Sequence, residues 1–179
     1  GAIPAQLGNL ANLEHLDLSD NDLTDSIPSS LGNLSNLLSL RLWRNHLNGT
    51  IPAELGDLLN LEIFWLDENR LSGAIPPELG NLPNLTQLWI NDNQLRGEVP
   101  DTFPNLGDLV SLNISYNALY ASNHTVADYL SSEDLGWENS QTVAPTNLAV
   151  ARVGTTSMAL SWTPIGYTGH GGYYEVSYA

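Results

Sequence analysis

Apolar residues return along most of the chain in one order that repeats every 24 residues. The pattern L-x-x-L-x-x-L-x-L-x-x-N-x-L begins at Leu10, Leu34, Leu58, Leu82 and Leu106. Self-similarity at a period of this length is typical of repeat proteins in which each coil packs on its neighbours. The sequence therefore predicts a solenoid, in which a ligand site must show as a departure from the repeat in adjacent coils.

Within each repeat, two leucines alternate with polar residues at the spacing of a β-strand, as at Leu16 and Leu18 or Leu40 and Leu42. Stacked coils then form a parallel sheet. An asparagine follows each strand where the chain turns inward, and its carboxamide can both donate to and accept from unpaired backbone groups. The sequence predicts an internal ladder made of Asn21, Asn45, Asn69, Asn93 and Asn117.

The opposite side of each coil carries an apolar residue followed by proline, which fixes the backbone angle there. The pairs are Ile27-Pro28, Ile51-Pro52, Ile75-Pro76 and Val99-Pro100. Gly49, Gly73 and Gly97 precede three of them and relax the turn. Because each buried leucine contributes about 1.5–3 kcal/mol only when a neighbour covers it, we expect no single coil to fold alone.

Taken together, these positions resemble a known family. The unit of residues 58–81, LLNLEIFWLDENRLSGAIPPELGN, is similar to the plant-type leucine-rich repeat with its G-x-I-P-x-x-L-G signature. The resemblance implies a solenoid with a parallel sheet on its concave face and irregular or 3-10 segments on its convex side. Asp25 and Pro104 replace glycines of the signature, and the fifth unit lacks the I-P segment.

Three regions follow from this pattern: a solenoid over 1–120, with a partial first unit and five further units, a cap and linker over 121–141, and a separate segment over 142–179. Val126, Tyr129 and Leu130 stand at helical spacing and predict a helical cap over the end of the stack. Because Gly1 falls in the middle of a repeat, we expect the sequence to begin within a longer solenoid.

The tail changes period and predicts three short strands, over 145–150, 157–162 and 172–178. These strands resemble the first three of a fibronectin type III domain, with Trp162 and Tyr174 at its core aromatic positions. About 40 residues are too few for such a sandwich. We therefore expect a loosely packed tail, in which Leu160 and Trp162 are less protected from hydrogen exchange than Leu66.

Composition narrows the partners. The chain has 20 acidic residues against five arginines and no lysine, a formal charge of −15, so neither nucleic acid nor an anionic membrane is an expected partner. No apolar run is long enough to insert into a membrane. Cysteine is absent, which excludes disulfide caps, thiol catalysis and cysteine metal sites. The combination of plant-type repeats, a cysteine-free cap and a fibronectin-like tail resembles bacterial secreted or cell-surface proteins. The resemblance implies an extracellular location.

Tryptophans depart from the repeat at outward strand positions. Trp65 and Trp89 hold the same position in adjacent coils, and Trp43 lies two residues further along the preceding strand. We expect their rings side by side on the concave face. The charged residues expected to rim them are Arg41, Arg44, Asp67, Glu68 and Asp92. The candidate ligand-binding residues are Arg41, Trp43, Arg44, Ile63, Trp65, Asp67, Trp89 and Asn91. Stacked rings can equally stabilise the sheet without any ligand.

Other chemistry has weaker support. Asp17, Asp20, Asp22 and Asp25 cluster without the glycine and distal glutamate of a calcium loop, and the four histidines lack metal-ligand spacing. We therefore expect no cofactor and no catalytic site. The favoured hypothesis is a non-catalytic interaction module that binds a protein or peptide. The alternative is a carbohydrate-binding or spacer part of a larger secreted enzyme acting on polysaccharide.

Overall fold

The computed structural model describes residues 1–134 and 137–141, and the backbone of two strands at 146–152 and 158–163. Within the first of these ranges, coil after coil contributes one short strand to a parallel five-stranded main sheet. Its strands, in spatial order, are β1 (His15–Asp17), β2 (Ser39–Arg41), β3 (Ile63–Trp65), β5 (Gln87–Trp89) and β7 (Ser111–Asn113). The predicted parallel sheet is confirmed.

The register of the main sheet follows the sequence period. Leu16 pairs with Leu40, Leu40 with Phe64, and so on through Leu88 to Leu112. These central residues are buried and point into one continuous apolar core that runs from Ile3 to Trp137. Since side chains alternate along a strand, the residues on either side of them line the opposite surface, here called the open face.

The asparagine ladder is confirmed bond by bond. The Asn69 side chain accepts from Leu47 N at 3.0 Å and donates to Leu42 O at 3.0 Å, which ties its own coil to the one before. The same side chain also donates to Leu66 O and Asp67 O within its own turn. One carboxamide therefore bonds four backbone groups and supplies partners that the turn does not.

Short 3-10 helices line the far side of the coils, as the family resemblance implies. Each of the first four begins directly after the proline of the apolar-proline pair, and they cover Ala5–Asn9, Ser29–Asn33, Ala53–Asp57, Pro77–Asn81 and Phe103–Asn105. Gly49, Gly73 and Gly97 have positive φ angles of 76°, 81° and 103°. Asp25, which replaces the corresponding glycine, keeps a φ of 66°. The turn geometry therefore survives the substitution.

A second parallel sheet was not predicted. It contains β4 (Ser72–Gly73), β6 (Gln94–Glu98) and β8 (Ala118–Tyr120), in that order, between the main sheet and the 3-10 side of each coil. These strands are as short as two residues and include Gly73 and Gly97. Neither β-branched runs nor sustained alternation marks them, so the sequence offers no strand signal at these positions.

Helix α1 (His124–Glu133) covers the end of the stack, as predicted. The Asn123 side chain caps its first turn by accepting from Thr125 N at 2.9 Å. Val126 and Leu130 are buried in the core, and Tyr129 donates its hydroxyl hydrogen to Leu106 O at 3.1 Å. The helix therefore supplies the apolar cover that a further coil would give.

Residues after α1 complete the cap with polar contacts. Asp134 Oδ2 accepts from Ile114 N at 3.0 Å, at the edge of the main sheet. Burial raises the pKa of Asp134, while the hydrogen bonds from Ile114 and Ser115 act in the opposite direction. A 3-10 helix, Trp137–Ser140, then brings the side chain of Gln141 back into the last coil.

The tail contains β9 (Thr146–Arg152) and β10 (Met158–Thr163), which pair antiparallel with Leu160 opposite Val150. The first two predicted tail strands are thus present. The third, over 172–178, and the side chains of Leu160, Trp162 and Tyr174 lie outside the described residues. Across the described part of the chain, no helix has the length and apolar character needed to cross a bilayer.

Candidate functional site

A row of stacked side chains crosses the open face at one register position of the main sheet. The rings of Trp65 and Trp89 lie with centroids 4.6 Å apart and planes 10° from parallel. On the other side of Trp65, the Arg41 guanidinium carbon lies 4.7 Å from the ring centroid. Arg41 in turn approaches Asp17 at 3.7 Å. We call Asp17, Arg41, Trp65 and Trp89 the tryptophan row.

Stacking leaves few aromatic faces free. Arg41 and Trp89 stand on the two strands that flank β3, so they cover opposite faces of the Trp65 ring. Trp89 gives one face to Trp65, and its indole N–H donates to Ser111 Oγ at 2.9 Å. The predicted side-by-side arrangement is confirmed, and its consequence is that the row presents mostly ring edges to solvent.

A second row lies two residues further along the same strands. The backbone ladder continues past the assigned strands, because Arg44 N donates to Asp67 O at 3.0 Å and Glu68 N donates to Asn91 O at 3.1 Å. Trp43, Asp67 and Asn91 are therefore neighbours across three coils, and we call them the aspartate row. Ile63 is half-buried at the opposite end of β3 and extends the apolar part of the face.

Asp67 departs from its predicted place. The sequence put it among the charges at the rim, but only 7% of the residue is exposed and its Oδ1 is buried without a hydrogen-bond partner. Burial raises the pKa of Asp67 to about 6; its own backbone N–H opposes the change, and Glu68 and Asp92 add to it. Packing within the stack excludes water from this carboxylate. A sequence pattern that treats each residue separately does not reveal such burial.

The arginines of the face are both engaged. Arg41 belongs to the tryptophan row and not to the rim. Arg44 lies 5.7 Å from the Trp43 ring centroid and pairs with Asp20 at 3.3 Å and with Glu68 at 3.5 Å. These pairs are largely solvent-exposed and each contributes little to stability. They do, however, keep both guanidinium groups away from the Asp67 carboxylate.

Seven of the eight predicted residues lie on the open face, and Arg44 lies in the left-handed turn beside it, so the structure brings the candidate set together. Sequence reasoning missed how many buried polar atoms accompany them. Those without a partner on this face are Ser19 Oγ, Ser39 Oγ, Arg41 Nε, Trp65 Nε1, Asp67 Oδ1 and Asn91 Oδ1. All six residues occupy outward strand positions, so the repeat register identifies them, but only packing shows that these atoms are buried.

Three of the four acidic residues of the first coil lie against an arginine or histidine side chain. Asp17 contacts Arg41, Asp20 contacts Arg44, and Asp22 Oδ1 lies 3.7 Å from His46 Nε2. Within the described ranges no three histidine or carboxylate side chains converge as metal ligands. The open face therefore offers polar and aromatic contacts for recognition, and we find on it no arrangement suited to bond-breaking chemistry.

Comparison with known proteins agrees with this architecture. The family model of the leucine-rich repeat region matches residues 1–146, and the chain therefore belongs to the leucine-rich repeat family. A search of curated protein sequences finds no significant match.

Solved structures of plant proteins share the fold at appreciable identity. The ectodomain of the Arabidopsis thaliana receptor kinase GASSHO1/SCHENGEN3, in complex with CASPARIAN STRIP INTEGRITY FACTOR 2, is 46% identical with a TM-score of 0.66, over 66% of this chain and 14% of that one. The Arabidopsis receptor kinase HAESA ectodomain, in complex with an IDA peptide hormone, is 44% identical with a TM-score of 0.65, over 66% and 20%. A plant ice-binding protein is 38% identical with a TM-score of 0.64, over 66% and 39%. The chain thus spans a minor part of each.

Proposed function

We propose that the chain is a non-catalytic interaction module, extracellular or on a cell surface, that binds a protein or peptide on the open face of its main sheet. The observation that carries this proposal is the pair of adjacent rows, which group Trp43, Trp65 and Trp89 together, with the exposed charges of Arg44, Glu68 and Asp92 beside them. Such a core and rim is typical of protein-binding patches. Ectodomains similar to this chain have been solved with a peptide hormone or a named protein factor bound.

Ring orientation favours a peptide over a sugar. Sugars commonly lie flat against an aromatic face, and both faces of Trp65 are covered by Arg41 and Trp89. The edge of an aromatic ring is its electropositive part, which suits the carbonyl oxygens of an extended peptide. This geometry gives no support to the carbohydrate-binding alternative, so we keep the peptide or protein ligand as the single proposal.

The setting of the module is part of the proposal. The antiparallel pair β9–β10 is what the first two strands of a fibronectin type III domain would form, and it supports such a domain after the solenoid. The cysteine-free cap, closed by α1 and Gln141, supports the bacterial secreted or surface class. We accordingly propose the boundaries 1–120, 121–141 and 142–179 for solenoid, cap and tail, with adhesion or recognition as the task.

The test uses the intrinsic fluorescence of the tryptophan row. The parent and the Trp65→Ala, Trp89→Ala double variant are titrated with pools of random decapeptides and, separately, with cell-wall oligosaccharides. We expect a peptide fraction to shift the parent's emission. In isothermal titration calorimetry, which does not depend on the removed rings, the same fraction should bind the variant about thirtyfold or more weakly, as for a hot-spot pair of about 2 kcal/mol.

Tyr120→Ala is the matched control, because it removes an exposed aromatic ring from the second sheet and leaves the open face intact. It should bind like the parent. If no peptide shifts the parent's emission, or if the double variant only melts earlier and binds unchanged, the tryptophan row is a structural ladder and the proposal fails.

A further inference from the structure

Asp67 is a buried carboxylate without a partner on the open face. The residue is 7% exposed, and its carboxylate forms no hydrogen bond or ion pair with another residue in the described part of the chain. A carboxylate that loses water without gaining a partner is costly to bury. Nothing in the core requires it, since the inward neighbour Leu66 already fills the apolar position of this turn.

The surrounding charges do not neutralise it. Glu68 and Asp92 are the charged groups that act on Asp67, and both are acidic. Arg44, the nearest cation along the ladder, is held by Asp20 and Glu68. The chain as a whole carries a formal charge of −15. The cation that would complete this site must therefore come from another molecule.

Asn91 adds a second acceptor beside the first. Its Nδ2 donates to Asp92 Oδ2 at 2.7 Å, and this fixes the amide with Oδ1 as a buried acceptor that has no donor. Neighbouring strands of a sheet lie about 4.8 Å apart, so the two unpartnered oxygens stand on adjacent coils of the same row. Trp43 holds the same register position on the preceding coil, which places an aromatic residue on the other side of Asp67.

We propose that Asp67 and Asn91 form the anchor subsite for a cationic side chain, arginine or lysine, of the peptide that binds the open face. Both oxygens are turned away from water in the free chain, so binding requires the two side chains to rotate outward. A guanidinium or ammonium group then supplies hydrogen-bond donors to both oxygens and pairs the charge, while its aliphatic stem packs against Trp43. This inference rests on the proposed function and deepens it by naming the class of ligand: a peptide with at least one basic residue.

The experiment compares three synthetic probes that differ at one residue. Peptides Ac-Ala-Leu-Xaa-Leu-Ala-NH₂, with arginine, citrulline or glutamate as Xaa, are titrated into the whole chain and followed by ¹H–¹⁵N NMR. We expect the arginine peptide to shift the resonances of Asp67, Asn91 and Trp43, and to bind about tenfold to a hundredfold more tightly than its citrulline isostere.

Two variants separate the subsite from general electrostatics. Asp67→Asn keeps the shape and removes the charge, and it should abolish the preference for arginine over citrulline. Asp57→Asn removes one negative charge from the far side of the coil, where the residue is exposed, and the preference should persist. A lysine probe then tells whether the subsite discriminates between the two cationic groups.

The outcomes are distinguishable. If the arginine and citrulline peptides both perturb Trp65 and Trp89 with equal affinity, the open face binds peptides and the anchor subsite is wrong. If calcium chloride alone shifts Asp67 and Asn91 and blocks the arginine peptide, the two oxygens form an ion site and the inference is overturned. If random decapeptides also fail on the parent, the proposed function itself fails.

Discussion

At the scale of single residues, the asparagine ladder shows how one amide holds two coils together. Asn69 is buried; its Oδ1 accepts one backbone hydrogen bond, and the two hydrogens of its Nδ2 are shared among three carbonyl oxygens. The sequence predicts the ladder, because an asparagine recurs at a fixed period at the inward turn and its carboxamide can both donate and accept hydrogen bonds. An aspartate of equal size lacks every donor.

We therefore expect Asn69→Asp to lower the free energy of unfolding by about 3 kcal/mol or more at pH 7, since a carboxylate would face three carbonyl oxygens. Asn21→Asp is the control, because Asn21 holds the same position in an exposed outer coil. It should cost about 1 kcal/mol or less. Urea denaturation compares the two. Equal losses would mean that burial of the ladder does not determine its contribution.

Asp67 makes stability depend on pH. Its pKa is about 6 in the folded chain against 3.8 for an ordinary aspartate, so the folded state binds the proton more tightly than the unfolded state does. The stabilisation is complete below the lower value and is lost as pH rises through the higher one. We expect melting temperatures to fall between about pH 4 and pH 6, and this component to vanish in Asp67→Asn.

The matched variant for this titration is Asp57→Asn, in which an exposed carboxyl is neutralised. Its melting profile between pH 4 and pH 6 should follow that of the parent. A profile of Asp67→Asn that falls as steeply as the parent's would show that other carboxyl groups produce the dependence.

At this scale the sequence does not predict a backbone conformation that the residue type does not favour. The residue before each ladder asparagine has a left-handed backbone, with φ of 51° at Arg44, Glu68 and Asp92. Glycine or asparagine at this position would indicate a left-handed turn, whereas arginine or glutamate gives no such indication. The conformation is imposed by the ladder that follows, which is a property of the stack and not of the residue.

At the scale of elements, Gln141 continues the ladder beyond the recognised repeats. It accepts from Leu119 N at 3.0 Å and donates to Ile114 O at 3.1 Å, with the sequence separations of 22 and 27 that Asn117 has to Leu95 and Ile90. The signal was available, because 141 lies one period of 24 residues after Asn117. The change from asparagine to glutamine and the intervening helix conceal it.

We expect Gln141→Ala to destabilise the chain by about 1–3 kcal/mol, since it leaves the buried Leu119 amide without its acceptor and removes one of the donors to Ile114 O. Hydrogen exchange should accelerate most at the Leu119 amide. Gln94→Ala, which truncates an exposed glutamine in β6, should leave both quantities nearly unchanged. Unaltered protection of Leu119 in the Gln141 variant would show that α1 alone closes the stack.

At the scale of the whole molecule, the spacing of the coils is set on the 3-10 side by glycine. A Cβ added at Gly32 would overlap the backbone of the next coil, lying 2.7 Å from the carbonyl carbon of Glu54. Gly8, Gly56 and Gly80 meet the following coil in the same way. Pro104 takes the next position of this series. The element that follows there is α1 and not a further repeat coil. The replacement of glycine by proline in the sequence therefore coincides with the end of the series.

Gly32→Ala should therefore weaken one interface of the stack, by about 1–3 kcal/mol if the coils yield as overpacked cores do. Because a solenoid is held by nearest-neighbour contacts, the loss should appear as uncoupling: amides before residue 33 exchange at a common, faster rate, while Leu66 and Ile90 keep their protection. Gly107→Ala, where an added Cβ meets nothing within 4 Å, is the control and should exchange like the parent. A uniform increase across all coils would instead mean that the stack unfolds as one cooperative unit, and that the open face cannot loosen at one end without losing the site.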